Sequence, residues 1–176
     1  MKFCCHCASP VVSRVPPGDS LPRFVCDECG EIHYQNPRLI LGTIPERDGR
    51  ILLCRRAIEP RYGYWTLPAG FMENGETAAQ GAARETLEEA GARVELGAPF
   101  SLISVPRVNQ VHLFYLARIL DLDAKFGEET LEVGFFEEAA VPWKDIAFRT
   151  VGLTLKFWLS DRKAGGFTFH AEDINS

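Results

Sequence analysis

The chain has no apolar run approaching the ~20 residues needed to span a bilayer, and residues 1–10 contain no apolar signal core. A cytoplasmic protein without membrane attachment is the resulting expectation. It also lacks internal repeats and low-complexity tracts. No charge sign dominates: 19 Lys and Arg against 24 Asp and Glu leave a net charge of −5. That balance gives no general attraction to nucleic acid or anionic membranes. The 176 residues, 46% of them hydrophobic, suit one medium-sized domain with a small appendage.

Cysteine is present in numbers, and its arrangement points to metal. Cys4-x2-Cys7 and Cys26-x2-Cys29 form two knuckles with eighteen residues between them. This spacing reads as a structural four-thiolate Zn²⁺ site. Turn-forming residues from Val15 to Asp19 return the chain, and Gly30 eases the second knuckle. Cys5 and His6 compete with the paired cysteines as ligands. Cys54, inside an apolar run, is expected to be a buried core thiol. Residues 1–36 thus form a candidate zinc ribbon, closed by Asn36-Pro37, and residues 37–176 a second domain. The ribbon carries balanced charge up to Arg38, which makes it a poor nucleic-acid anchor. Its expected job is structural, bracing the other domain or the interface of a homodimer.

In the second domain, Leu39–Ile44 and Ile51–Arg55 flank Glu46-Arg47-Asp48-Gly49, a hairpin signal. Tyr64–Pro68 reads as a short extended piece. Thr77-x-x-Gln80 predicts a capping box opening a helix that Gly91 ends. Ala79, Ala82, Ala83, Leu87 and Ala90 form its predicted apolar face, with its glutamates directed outward into a cleft. Gly81 stands mid-helix, where glycine costs about 1 kcal/mol relative to alanine. Close approach of another group and a tolerated defect both account for it. Strands are predicted at Phe100–Val105, Val111–Ile119 and Leu131–Phe136, a helix near Thr150–Arg162, and a late strand at Phe167–His170. The mixture implies an α/β fold, three-layered with a mixed sheet.

The chemistry gathers in that first helix. Glu85, Glu88 and Glu89 are spaced i, i+3, i+4, which puts three carboxylates on one face, neighbouring Cβ atoms roughly 5–6 Å apart. A hard divalent cation such as Mg²⁺ or Mn²⁺ would offset the repulsion. A solvated glutamate-rich face is the plain alternative. With Gly70, Glu76, Arg84 and Gly91, these residues match G-x5-E-x7-R-E-U-x-E-E-x-G-U, where U is a bulky aliphatic. The segment resembles the Nudix box, departing only at Thr86 and Ala92, two positions expected to face the core.

The resemblance implies an α/β/α sandwich after the ribbon, and metal-dependent cleavage of nucleoside diphosphates linked to another moiety. It further implies Glu85 and Glu89 as direct metal ligands, Glu88 as a ligand directly or through water, and a backbone carbonyl near Ala69–Gly70 completing the shell. Arg84 would orient a glutamate, and Glu76 would be structural. Relatives draw another carboxylate from a distant loop. Glu129 is the first choice here, ahead of Glu128 and Glu132. Arg55 and Arg56 suit diphosphate oxygens through bidentate bonds. Tyr62, Tyr64 and Trp65 are candidates for stacking on a base, with Trp65 more suited to the core. His112 and His170 receive no role.

A ribbon directly before such a domain resembles NADH and NAD-cap pyrophosphatases, but their S-Q-P-W-P-F-P-x-S signature is missing: residues 99–106 read PFSLISVP. Stretches such as YWTLPAGFMENGE and AAQGAARETLEEAGA are similar to a group that includes the plant chloroplast FAD pyrophosphatase. That likeness implies FAD or ADP-ribose as substrate, with AMP as a product. Three readings stay open: this small-nucleotide pyrophosphatase, an NADH or NAD-cap hydrolase, and a non-catalytic Nudix ligand sensor or ribbon interaction module.

Overall fold

A computed structural model describes residues 1–122 and 125–175. The chain divides into two compact units, Met1–Pro37 and Arg38–Ser176. In the first, strands β1 (Val11–Arg14), β2 (Arg23–Cys26) and β3 (Ile32–His33) form an antiparallel sheet in that order. Asp19 secures the predicted return: its carboxylate accepts from the Ser20 and Leu21 N–H groups and from Arg23.

The second unit is built on a mixed sheet. Its strands are β4 (Arg38–Arg47), β5 (Arg50–Arg56), β6 (Trp65–Thr66), β7 (Ala69–Phe71), β8 (Ala92–Val105), β9 (Gln110–Leu122), β10 (Thr130–Phe136) and β11 (His170–Asp173). The order β10-β5-β4-β9-β8-β11 is antiparallel except at β4·β9 and β8·β11, with β6 added to β5 and β7 to β4. The β4–β5 hairpin turns at Asp48-Gly49, both at positive φ, as a two-residue turn matching strand twist requires.

Helices α1 (Ala78–Ala90) and α2 (Arg149–Ala164) cover opposite faces. Strand alternation assigns the two cores. Ile51 and Leu53 of β5 pack with Phe100, Phe114, Leu155 and Trp158 beneath α2. Leu52 and Cys54 pack with Ala90, Ala92 and Ile119 on the α1 side. All four β5 side chains are buried, each such aliphatic contributing about 1.5–3 kcal/mol. Among the described residues, no helix is long and apolar enough to cross a membrane.

Thr77 caps α1 through the reciprocal box with Gln80, and Gly91 ends it in the left-handed region. Two expectations need correction. Leu87 does not line the buried face; it is 40% exposed, while Thr86 is fully buried and bonds Thr43 Oγ1 at 2.6 Å. The buried arc therefore runs through Gly81, Ala82, Thr86 and Ala90, and the small residues let α1 approach the sheet closely. The late strand begins at His170, because Asp161 bonds the Thr168 N–H and the His170 ring and holds the preceding residues to α2.

Gly81 is explained by close approach. A Cβ there would lie 2.5 Å from Glu76 Oε1 and 2.6 Å from Leu41 Cδ1. Replacing glycine by alanine in a helix gains about 1 kcal/mol, whereas overpacking costs about 1–3 kcal/mol. Glu76 is pinned by Arg84 and cannot give way, so the clash wins. Gly81→Ala is expected to lower the urea midpoint; a raised midpoint would show that Glu76 yields.

Candidate functional site

Strand β7 is the floor on which α1 sets its carboxylates. The Ala69 N–H donates to Glu89 at 2.9 Å, and Gly70 lies so close to the Glu85 carboxyl group that any Cβ would overlap it. The glutamates therefore do not all point outward. Glu88 is 57% exposed, but Glu85 is only 12% exposed, turned against β7. Burial is the main force raising Glu89, to about 7, helped by the charges of Glu85 and Glu129 against the Ala69 bond and Arg56. Burial also raises Glu85, with Arg84 opposing and Glu88 and Glu129 adding to the shift.

Arg84 ties the cluster together. Its Nε and Nη2 donate to the two Glu76 carboxylate oxygens at 3.0 Å each, Nη1 donates to Glu85 and Glu88 at 2.8 and 3.1 Å, and Nη2 also reaches the Phe71 carbonyl. Arg84 holds Glu76 at about 2, below its ordinary 4.5. A carboxylate whose pKa is depressed on folding stabilises the fold fully above its unfolded value and progressively loses that contribution as pH falls. The Glu76 contribution should thus be complete above pH 4.5 and fade between 4.5 and about 2. Urea midpoints measured across that range should fall less steeply for Glu76→Gln than for wild type. Parallel curves would remove Glu76 as the acid-sensitive group.

Arg84, Glu85, Glu88 and Glu89 border a cavity of about 1650 Å³, larger than the ~300–1,000 Å³ common for ligand pockets. The loop before β10 docks on α1 through the Gly127 N–H and the Glu88 carbonyl (2.7 Å), and the Ala57 N–H holds the Glu129 carbonyl at 2.8 Å. This brings Glu129 to the cavity. Glu128 does not line it, and Glu132 faces Arg55 instead, at 3.3 Å.

The two arginines part company. Arg56 lines the cavity, its guanidinium 5.0 Å over the Phe148 ring, and acts on the charge of Glu89. Arg55 is absent from the lining and bonds the Gly63 carbonyl as well as Glu132. Neighbouring strand residues point to opposite sides, so of this pair only Arg56 borders the cavity. Tyr64 lines the cavity; Tyr62 does not, and Trp65 packs edge-on against Phe136 at 4.8 Å.

Sequence reasoning missed the far wall. Arg149, Gly152, Leu153 and Lys156 of α2 line the cavity at i, i+3, i+4, i+7 spacing, a signal visible in the sequence as one helix face. His112 lines it too, held neutral at about 4 by burial. His170 stacks on Phe157 at 4.3 Å and pairs with Asp161, which is structural work.

In the ribbon, the ligand sulfurs of Cys4, Cys7, Cys26 and Cys29 lie within 4.8 Å of one another. Cys4–Cys29 and Cys7–Cys26 stand 3.7 and 3.4 Å apart. Zn–S bonds of ~2.3 Å in a tetrahedron need sulfurs about 3.8 Å apart, so the donor set fits zinc. Cys5 lies outside this group: its sulfur is 3.6 Å from His33 Nδ1, while His33 Nε2 is 3.3 Å from Cys4 Sγ. His33 is a second residue that cysteine spacing alone does not reveal.

Comparison with known proteins agrees with both units. Residues 37–151 match the NUDIX domain, and residues 2–35 match the Nudix N-terminal zinc-ribbon family. An ADP-ribose pyrophosphatase from Methanocaldococcus jannaschii is 33% identical over 113 residues, 62% of this chain and 67% of that one. An NAD-capped RNA hydrolase, NudC, from Chromobacterium violaceum is 35% identical over 144 residues, 80% of this chain; the match spans only about half (52%) of that relative. A crystal structure of a NUDIX hydrolase from Nitrosomonas europaea superposes with a TM-score of 0.96 at 52% identity, covering 100% of both chains. With the domain match spanning well over half its length, this chain belongs to the Nudix family.

Proposed function

We propose that this protein is a divalent-cation-dependent pyrophosphohydrolase that cleaves the diphosphate of an adenosine-diphosphate-linked substrate, FAD or ADP-ribose, and releases AMP. The observation that carries the reading is the cluster of Glu85 and Glu89, half-buried side by side, with Glu129 adding charge and both carboxyls raised. Such a set is costly alone and suited to a hard cation with oxygen ligands. Mg²⁺ or Mn²⁺, held by Glu85, Glu89 and Glu88 and by the backbone near Gly70, would polarise a phosphoryl oxygen and lower the pKa of a bound water. Arg84 fixes the carboxylates in place, since Glu76 and the Phe71 carbonyl fix Arg84. Arg56, which lines the same cavity and whose charge acts on Glu89, offers a guanidinium to a phosphoryl oxygen. Glu129 is the proposed acceptor of the proton from attacking water. The zinc of the ribbon is structural.

ADP-ribose is supported by the 33%-identical archaeal relative, FAD by the sequence resemblance. A second reading, hydrolysis of NADH or NAD caps, is favoured by the similarity to NudC across 80% of this chain, and opposed by the missing signature at residues 99–106. Incubating the protein with Mg²⁺ and FAD, ADP-ribose or NADH, followed by chromatography of products, separates the two. AMP with FMN or ribose 5-phosphate is expected. Dominant AMP plus reduced nicotinamide mononucleotide would favour the second reading, and no turnover above Glu89→Gln would end both.

A further inference from the structure

One wall of the cavity is a row of side chains set by strand pairing. Ile40 of β4 stands opposite His112 of β9 on one side and Phe71 of β7 on the other, and paired residues share a face of the sheet. Phe114, two residues beyond His112, continues that face. All four line the cavity, as does Leu153 from α2. His112 is the one polar side chain of these five, and it is 8% exposed. Its Nε2 lies 3.2 Å from the Gln110 amide oxygen, which can only accept, so Nε2 carries the ring hydrogen. Burial keeps the ring neutral, and Nδ1 is left with a lone pair. Among the described residues no donor meets Nδ1, and the one sealed side-chain nitrogen or oxygen without a partner is Thr150 Oγ1. The His112 Nδ1 is therefore an open acceptor, and the space open to the ring is the cavity it lines.

We infer that this apolar slot is a base-binding subsite, in which His112 accepts a hydrogen bond from the 6-amino group of adenine and so selects adenine over a 6-oxo purine. The inference rests on the pyrophosphohydrolase reading and adds to it the residue that chooses the nucleoside. Ligand pockets pair apolar walls with a few placed polar groups, and a purine matches that pattern with apolar faces and a polar edge. Adenine turns an N–H toward Nδ1. A 6-oxo purine turns a carbonyl oxygen to the same place, where two lone pairs meet and neither finds a hydrogen. A sugar hydroxyl, able both to donate and to accept, would give no such choice. Phe71 directly follows Gly70, whose backbone lies against the Glu85 carboxyl group, so the slot adjoins the carboxylates along β7. Gln110 is the positioning residue, holding the tautomer that leaves Nδ1 bare. His112 binds; it transfers no proton and breaks no bond.

The test compares ADP-ribose with its inosine counterpart, which differs in the 6-oxo group of the base. Wild type should favour ADP-ribose about tenfold or more in kcat/KM, because a site built to bond a donor rejects the analogue lacking it. His112→Phe keeps a flat ring without nitrogens and should bring the preference below threefold. The loss should fall on ADP-ribose and mainly in KM, while turnover of the inosine compound changes little and reports an intact fold. Calorimetry on wild type with Mg²⁺ should show AMP binding about tenfold more tightly than inosine monophosphate. Equal affinity for the two monophosphates overturns the proposal, as does binding of neither. So does a preference that His112→Phe retains. Turnover that Glu89→Gln abolishes, without any preference for the 6-amino base, sinks this inference alone. Selective AMP binding without turnover of any dinucleotide sinks the hydrolase reading alone.

Discussion

Glu89→Gln should lower kcat/KM by more than 100-fold while leaving the fold intact. Mutating groups that merely orient metal ligands commonly costs 10–100-fold, so losing a proposed ligand should exceed that range. Glutamine can still accept the Ala69 N–H bond through its amide oxygen, which is why stability should hold. The sign of the pH dependence follows from the raised pKa of about 7. Below that value Glu89 binds a proton that any cation must displace, and above it the carboxylate is free. Mn²⁺ affinity in wild type should therefore weaken by roughly fivefold between pH 7 and pH 6, and level off above pH 8. In Glu89→Gln the affinity should be weaker at pH 8 and nearly flat across this range. Calorimetric Mn²⁺ titrations at these pH values provide the test. A wild-type affinity independent of pH would mean that Glu89 is not displaced from its proton by the cation. Retained activity in the variant would remove Glu89 from the mechanism altogether.

What could be read from the sequence was whatever depends on local spacing. The capping box at Thr77 and Gln80, the αL glycine at Gly91 and the two-residue turn at Asp48-Gly49 are each fixed by residues a few positions apart, and the structure has all three. The same holds for the four thiols, whose spacing anticipates their convergence. What failed depends on packing between distant segments. Leu87 looked like a core residue by helical periodicity, yet the surface facing the sheet is set by how closely α1 approaches β4, and Gly81, Ala82 and Thr86 allow that approach. That Arg56 borders the cavity and its neighbour Arg55 does not is likewise set by the strand's alternation and its surroundings. His112 could be given no role at all, because a ring nitrogen without a partner is a property of its surroundings. Glu129 lay between the two cases: its neighbourhood in sequence was readable, but that Glu129 borders the cavity while Glu132 meets Arg55 across β5 and β10 depends on the sheet.

Withdrawing zinc should unfold the ribbon. The unit Met1–Pro37 buries only Cys4, Pro16, Val25, Cys26 and His33, and two of those five are proposed ligands. Chains below ~40 residues rarely bury enough apolar surface to fold without a metal or disulfides, and all six cysteines are free thiols. Structural zinc in comparably small units contributes about 10–16 kcal/mol of apparent binding energy, far more than five buried side chains can replace. Elemental analysis should find one zinc per chain in wild type and less in Cys4→Ser or Cys26→Ser. A zinc-selective chelator, used with Mg²⁺ kept in excess, should open residues 1–37 to protease while α1 and the sheet of the second unit remain protected. His33→Ala should leave the stoichiometry at one but hasten zinc loss to the chelator, since its ring is 3.3 Å from Cys4 Sγ and an N–H there would stabilise the thiolate. A ribbon equally resistant to protease with and without zinc would show that the sheet of β1, β2 and β3 holds itself together, and the thiolate site would lose its structural role.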